Sequence, residues 1–144
     1  MGGTDTPRRT PGRIDALMTS EHTSARKLRV FVVDDEPALA ESLKLGLINH
    51  GHDVDMSRSF EDARRRLLAE SFDVLITDVR LGAFNGIQLA VIARGNNPTM
   101  RIVVFSGFDD PVLRTEATAL NATYLVKPVS AETMNRVIGE TEPN

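Results

Sequence analysis

Five short apolar runs alternate with segments whose apolar residues recur at helical spacing, and this alternation leaves few folds open to the chain. The runs fall at 28–33, 54–56, 74–77, 102–105 and 124–126, and most are rich in β-branched residues, as strands buried on both faces of a parallel sheet are. After the first run come Leu39, Leu43, Leu47 and Ile48, closed by Gly51 where a left-handed helix cap is commonly needed. Ser59 predicts an N-cap ahead of Glu61 and Asp62 in an acidic first turn, with Ala63 and Leu67 facing inward. A third helix is predicted over 86–94, carrying Ile87, Leu89, Val91 and Ile92 and stopping at Gly95. Asp110-Pro111 sets a cap and an N1 proline for a fourth over 112–120. Ser130 caps the fifth, with Met134, Val137 and Ile138 on its inner side. Five βα units with no room for hairpins imply an α/β fold: a doubly wound, five-stranded parallel sheet with helices on both faces.

The rest of the chain bounds this picture. Residues 1–27 are rich in Gly, Thr, Pro and Arg without a sustained apolar period, and are expected to form a flexible N-terminal extension ahead of a domain over 28–144. Arg8, Arg9, Arg13, Arg26 and Lys27 are interspersed with acids and lack aromatic neighbours, which reads as a solvated tail and not a nucleic-acid arm. With 17 Lys+Arg against 20 Asp+Glu, the net charge of −3 supplies no field toward nucleic acid or an anionic membrane. The complete absence of cysteine excludes disulfides, thiolate metal sites and thiol nucleophiles, and fits a reducing, cytoplasmic setting. No apolar run approaches the ~20 residues that span a bilayer.

In a doubly wound sheet, ligands sit beyond the carboxyl ends of the strands, where the winding direction reverses. Strand one ends in Asp34-Asp35, strand three in Asp78, strand four in Ser106-Gly107 and strand five in Lys127-Pro128. Each alone is ordinary turn punctuation. Together they bring three acids, one alcohol and one amine to a single rim. Carboxylates ~4 Å apart repel by roughly 4 kcal/mol at an effective dielectric of ~20, so such a cluster calls for a cation. Oxygen-only ligands favour a hard ion, and room for water and phosphate suits Mg²⁺ better than Ca²⁺. Asp78 could then attack a phosphoryl group, with Lys127 and the Ser106 hydroxyl neutralising and holding its oxygens.

These residues resemble the receiver domain of bacterial two-component response regulators. Val33-Asp34-Asp35-Glu36-Pro37 is similar to the family's acidic pair, and Asp78 followed by Asn85-Gly86 is similar to its phosphoacceptor and following loop. Ser106-Gly107 corresponds to its hydroxyl-then-small step, Tyr124 to its switch aromatic and Lys127-Pro128 to its Lys-Pro step, with a cis peptide expected before Pro128. The resemblance spans 28–140 and implies a flavodoxin-like sheet of order 2-1-3-4-5. It further implies phosphoryl transfer from a histidine kinase or histidine phosphotransfer protein to Asp78. Asp35, Asp78 and the Arg80 carbonyl would ligate Mg²⁺ directly, with Asp34 acting mainly through water. Phosphorylation would draw in Ser106, let Tyr124 turn inward and reshape the face of helix four, strand five and helix five toward an output partner whose identity stays open. A phosphorylation-dependent dimer is compatible with this. Arg80-Leu81-Gly82 and Val129 depart from the family's frequent residues, and Ser106 replaces its commoner Thr. From that we expect Phe108 to screen, and Arg80 to contact, the acyl phosphate.

Other readings meet the same residues. The leading expectation is a stand-alone phosphoacceptor switch, and the alternative is a receiver cut from a longer regulator with a DNA-binding or enzymatic output. A phosphatase of the haloacid-dehalogenase type would want its second Asp two residues after the nucleophile, where Asp34 and Asp35 are adjacent. A scaffold without chemistry would not need all of these groups. His50-Gly51-His52 lacks a third ligand and reads as a solvated turn. Arg64-Arg65-Arg66 reads as a solvated helix face, and the dispersed methionines as core filling.

Overall fold

A computed structural model describes residues 26–140. The expected extension therefore lies, except for Arg26 and Lys27, outside the described residues. Five strands, β1 (Arg29–Val33), β2 (Asp53–Ser57), β3 (Val74–Asp78), β4 (Arg101–Ser106) and β5 (Thr123–Val126), alternate with α1 (Pro37–Asn49), α2 (Phe60–Ala69), α3 (Gly86–Asn96), α4 (Pro111–Ala119) and α5 (Ala131–Glu140). The strands pair in parallel in the order β2-β1-β3-β4-β5. The winding reverses between β1 and β3, which are the two strands that end in Asp34-Asp35 and Asp78.

Alternate residues of each strand feed two cores, as the two-residue period of a strand requires. Phe31 and Val33 join Phe60, Leu67, Ile87, Leu89 and Ala117 in the layer beneath α2, α3 and α4. Val30 and Val32 join Ala40, Leu43, Leu47, Met134 and Ile138 beneath α1 and α5. The α1–α5 contact is close enough that a Cβ on Gly46 would meet the Ala131 Cβ at 2.2 Å.

Local signals place the helix ends. Ser59 accepts from the Asp62 N–H, Asp110 from those of Val112 and Leu113, and Ser130 from that of Thr133. Gly51 turns the chain after α1 with φ 96°.

Several sequence expectations need correction. The loop after β3 does contain a hairpin, Arg80–Leu81 paired with Phe84–Asn85 through the positive-φ Gly82. In α3 the helix runs through Gly95 to Asn96, and Val91 is exposed while Ala90 and Ala93 face the core. Ile48 likewise lies outside. His52 is no solvated turn residue: it is 9% exposed, its Nδ1 accepts from the Leu28 N–H at 3.1 Å, and Nε2 sits 2.7 Å from the Asn135 Oδ1. With Nδ1 accepting from the backbone, Nε2 is the ring nitrogen that faces the Asn135 amide oxygen. The arginine triplet also divides. Arg66 lies over the Phe31 and Phe72 rings and pairs with Asp55 and Glu70, while Arg64 and Arg65 are exposed.

Candidate functional site

The β1–β3 switch point brings the ends of four strands together. Asp34 continues β1, fully buried, with its N–H on the Ser57 carbonyl and its Oδ1 accepting from the Glu36 N–H at 2.9 Å. Asp78 closes β3, 6% exposed, in register with Phe105. Carboxylate oxygens of Asp34, Asp35 and Asp78 lie within 4.8 Å of one another. At that separation each ionised pair repels by about 3.5 kcal/mol or more at an effective dielectric of ~20.

Lys127 answers part of this charge. The β4–β5 ladder carries Ser106 opposite Val126, and the Lys127 N–H donates to the Ser106 carbonyl at 2.7 Å. The Lys127–Pro128 peptide is cis, as expected, and begins the turn into α5. Lys127 Nζ stands 3.4 Å from Asp34 Oδ2, 3.5 Å from Asp78 Oδ1 and 3.7 Å from Glu36 Oε1. Beneath it lies the Phe105 ring, 4.9 Å from the ammonium to the ring centroid. Burial raises the Asp34 pKa above its ordinary range, against a backbone hydrogen bond and Lys127. Burial and then the Asp34 charge raise that of Asp78, again against Lys127. One ammonium therefore does not balance the buried acids, and the residues present fit a divalent, oxygen-seeking cation.

The site opens into a cavity of about 440 Å³ bordered by Asp35, Asp78, Arg80, Ser106, Phe108 and Lys127 among others. Every site residue expected from the sequence, apart from Tyr124, borders this cavity or, as Asp34 does, contacts its lining. Ser106 is buried, and its hydroxyl accepts from the Phe108 N–H at 3.2 Å. Tyr124 lies one layer behind, 7% exposed, with its hydroxyl donating to the Phe108 carbonyl at 2.7 Å. The ring expected to turn inward on phosphorylation lies inside in this structure. Arg80 and Phe108 stand at the mouth with the guanidinium carbon 5.6 Å from the ring centroid.

Three features escaped the sequence. The Gly82 N–H donates to Asp35 Oδ2 at 3.1 Å, so the small hairpin orients the second acid. Glu36 supplies a third carboxylate to Lys127. Gly86 presses so closely on β3 that a Cβ there would lie 1.9 Å from the Asp78 carbonyl oxygen. The positive-φ glycine after Arg80-Leu81 was the available signal for the first; for the third, Gly86 stands out in sequence without its reason.

The model of the response regulator receiver domain matches residues 30–138. The chain belongs to this receiver family. It is similar to the alginate biosynthesis transcriptional regulatory protein AlgB of Pseudomonas aeruginosa, 34% identical over 115 residues, and to the transcriptional regulatory protein ZraR of Salmonella typhimurium, 28% identical over 120. Those matches take in 78% and 80% of this chain but 25% and 27% of the relatives, so the chain spans about a quarter of their length. Among solved structures, a response regulator from Burkholderia pseudomallei with a phosphorylated aspartic acid, a calcium ion and citrate superposes with a TM-score of 0.71 at 28% identity, covering 76% of this chain and 64% of that one. A CheY-like receiver from Methanospirillum hungatei gives a TM-score of 0.75 at 23% identity, over 80% and 93%, and shows the shared fold. The receiver is a phosphoacceptor signalling domain of two-component systems, and no helix among its described residues is long and apolar enough to cross a membrane.

Proposed function

We propose that Asp78 is the residue that accepts the phosphoryl group, taken from a histidine kinase or a histidine phosphotransfer protein. The convergence of Asp78, Lys127 and Ser106 on one cavity carries this reading. A carboxylate oxygen of Asp78 bonds to phosphorus as the donor's N–P bond breaks, and the imidazole leaves with the electron pair. Asp34, Asp35, Asp78 and the Arg80 carbonyl would hold Mg²⁺, with Asp34 acting mainly through water. When bound, the cation neutralises charge on the transferring oxygens.

Each residue of the chain then has a task set by its position. Lys127, fixed by its three carboxylates and the Phe105 ring, presents a point charge beside Asp78 Oδ1. Ser106, at the end of β4, offers its hydroxyl to a phosphoryl oxygen. Its present partner, the Phe108 N–H, belongs to the same loop, so engagement of the phosphate is transmitted to the residue whose carbonyl Tyr124 also holds. The output is a change in the α4–β5–α5 face read by a partner. Self-catalysed phosphorylation from small donors and slow self-catalysed loss of phosphate follow from the same groups. Phe108, at the mouth, screens the acyl phosphate from water, and Arg80 contacts it.

Incubation with acetyl phosphate and Mg²⁺ tests this by intact mass. The account expects a base-labile gain of one phosphoryl group, absent with chelator and absent in Asp78→Asn. A gain of equal size in Asp78→Asn would refute it.

A second reading concerns context, because the relatives are about four times longer than the matched region. The domain then serves as the receiver of a longer regulator whose output, by likeness to those relatives, acts in transcription. Limited proteolysis of the protein isolated from its native cells would separate the two: a larger parent band supports the second.

A further inference from the structure

Tyr124 is 7% exposed, and its contacts outside the phosphorylation site hold it there. The ring's inner side belongs to the core beneath α2, α3 and α4. Over it lies Arg114 of α4, its guanidinium carbon 4.8 Å from the ring centroid. Nε and Nη2 of Arg114 both donate to Oδ1 of Asp109, at 3.1 and 2.8 Å. Asp109 directly follows Phe108, whose carbonyl accepts from the Tyr124 hydroxyl and whose N–H donates to Ser106 Oγ. The Arg114 N–H donates to the Asp110 carbonyl within the first turn of α4, which fixes the base of the side chain.

These contacts form a circuit from Ser106 through the Phe108 backbone to Tyr124, over to Arg114 and back to Asp109, the next residue in the chain. Resting on the assignment of Asp78 and Ser106 made above, we propose that Arg114 is a positioning residue that latches Tyr124 inward and thereby biases the loop 106–110 toward the phosphorylated arrangement. Its contribution comes from an exposed cation–π contact and an exposed ion pair, together worth about a tenfold shift in a two-state equilibrium. By reciprocity, the same factor favours phosphorylation of Asp78.

The chain has one tyrosine and no tryptophan, so tyrosine fluorescence reports on Tyr124 alone. Acrylamide quenching of the full chain is measured with Mg²⁺ alone and with Mg²⁺ plus beryllofluoride, a phosphoryl mimic. We expect the unsubstituted chain to be shielded in both conditions. Arg114→Ala should be several-fold more quenchable without beryllofluoride and return to the unsubstituted value with it. Arg114→Lys, which keeps the charge over the ring but loses the forked pairing, should fall between. Asp109→Asn should move in the same direction as Arg114→Ala by less, and decides the matter if Arg114→Ala fails to fold by circular dichroism. Equal shielding of the Arg114→Ala and unsubstituted chains in Mg²⁺ alone would overturn the latch, as would an unshielded tyrosine in the unsubstituted chain. Failure of the Asp78 assignment reads differently: no phosphoryl mass gain, and no response to beryllofluoride in any variant, while the difference in Mg²⁺ alone persists.

Discussion

Replacing Gly86 with alanine isolates the feature that fixes the position of Asp78. In an unobstructed helix the change would stabilise by about 0.5–1 kcal/mol, because alanine loses less backbone freedom on folding. At Gly86 the new Cβ would stand 1.9 Å from the Asp78 carbonyl oxygen, 2.8 Å from Thr77 Oγ1 and 3.0 Å from the Asp78 carbonyl carbon. Ordinary C···O contacts are near 3.3 Å or longer, so β3 and the start of α3 must separate by more than an ångström. No rotamer change relieves a clash with main chain, and the Gly86 N–H is tied to the Val79 carbonyl at 2.6 Å. Overpacking of this kind costs about 3 kcal/mol or more. The difference leaves Gly86→Ala about 2 kcal/mol or more less stable. Gly95→Ala, in the same helix with nothing within 4 Å of its Cβ, should gain about 0.5–1 kcal/mol. Urea unfolding followed by circular dichroism measures both. A Gly86→Ala variant as stable as the unsubstituted chain, or the same sign at both glycines, would show that Gly86 is not pressed against β3.

Further expectations concern the charges. Because Asp34 and Asp78 have folded-state pKa values raised above the ordinary 3.8, the native state holds their protons more tightly than the unfolded chain does. Their effect therefore favours the fold as pH drops from neutral through the raised values, and disfavours it as pH rises. Without metal, Asp78→Asn should accordingly unfold at higher urea than the unsubstituted chain at pH 7, with the gap narrowing toward pH 5; a gap independent of pH contradicts this. Mg²⁺ at a hundred times its Kd should add about 2.7 kcal/mol at pH 7 and less at pH 5, checked by the same titrations with chelator as blank. Lys127→Ala removes the partner of buried Asp34 and should cost about 2 kcal/mol at pH 7, less than a sealed pair because the lysine side chain keeps 19% exposure. Arg66→Ala should cost about 1–2 kcal/mol through its ring and carboxylate contacts, whereas Arg64→Ala should stay within about 0.5 kcal/mol. Equal losses at the two arginines would contradict the placement.

The fold was legible because β-branched runs of strand length cannot be mistaken for the amphipathic segments between them. The site was legible because the topology of a doubly wound sheet sends every strand end to one rim, which makes Asp34, Asp78, Ser106 and Lys127 neighbours despite their separation in sequence. What stayed hidden depends on partners far along the chain or on direction around a helix. His52 looks like a turn residue beside Gly51, and only the fold brings it to the Leu28 N–H and to Asn135 on α5. Three successive arginines are equivalent in sequence, but 100° of helix rotation per residue sends Arg66 alone over Phe31. In α3, apolar residues on several sides leave no polar face to orient it, so the sequence alone puts Val91 inside where the fold exposes it. The hairpin's two-residue strands are too short to show a period. Its Gly82 stands in the sequence only as a departure from the family's frequent residues.

The central claim is that one particular carboxylate, among three within 4.8 Å, forms the acyl phosphate. Reduction of the phosphorylated protein with borohydride converts the modified aspartate to homoserine, which peptide mapping then locates. Homoserine is expected at position 78 alone. Homoserine at 34 or 35, with Asp78 intact, would contradict it.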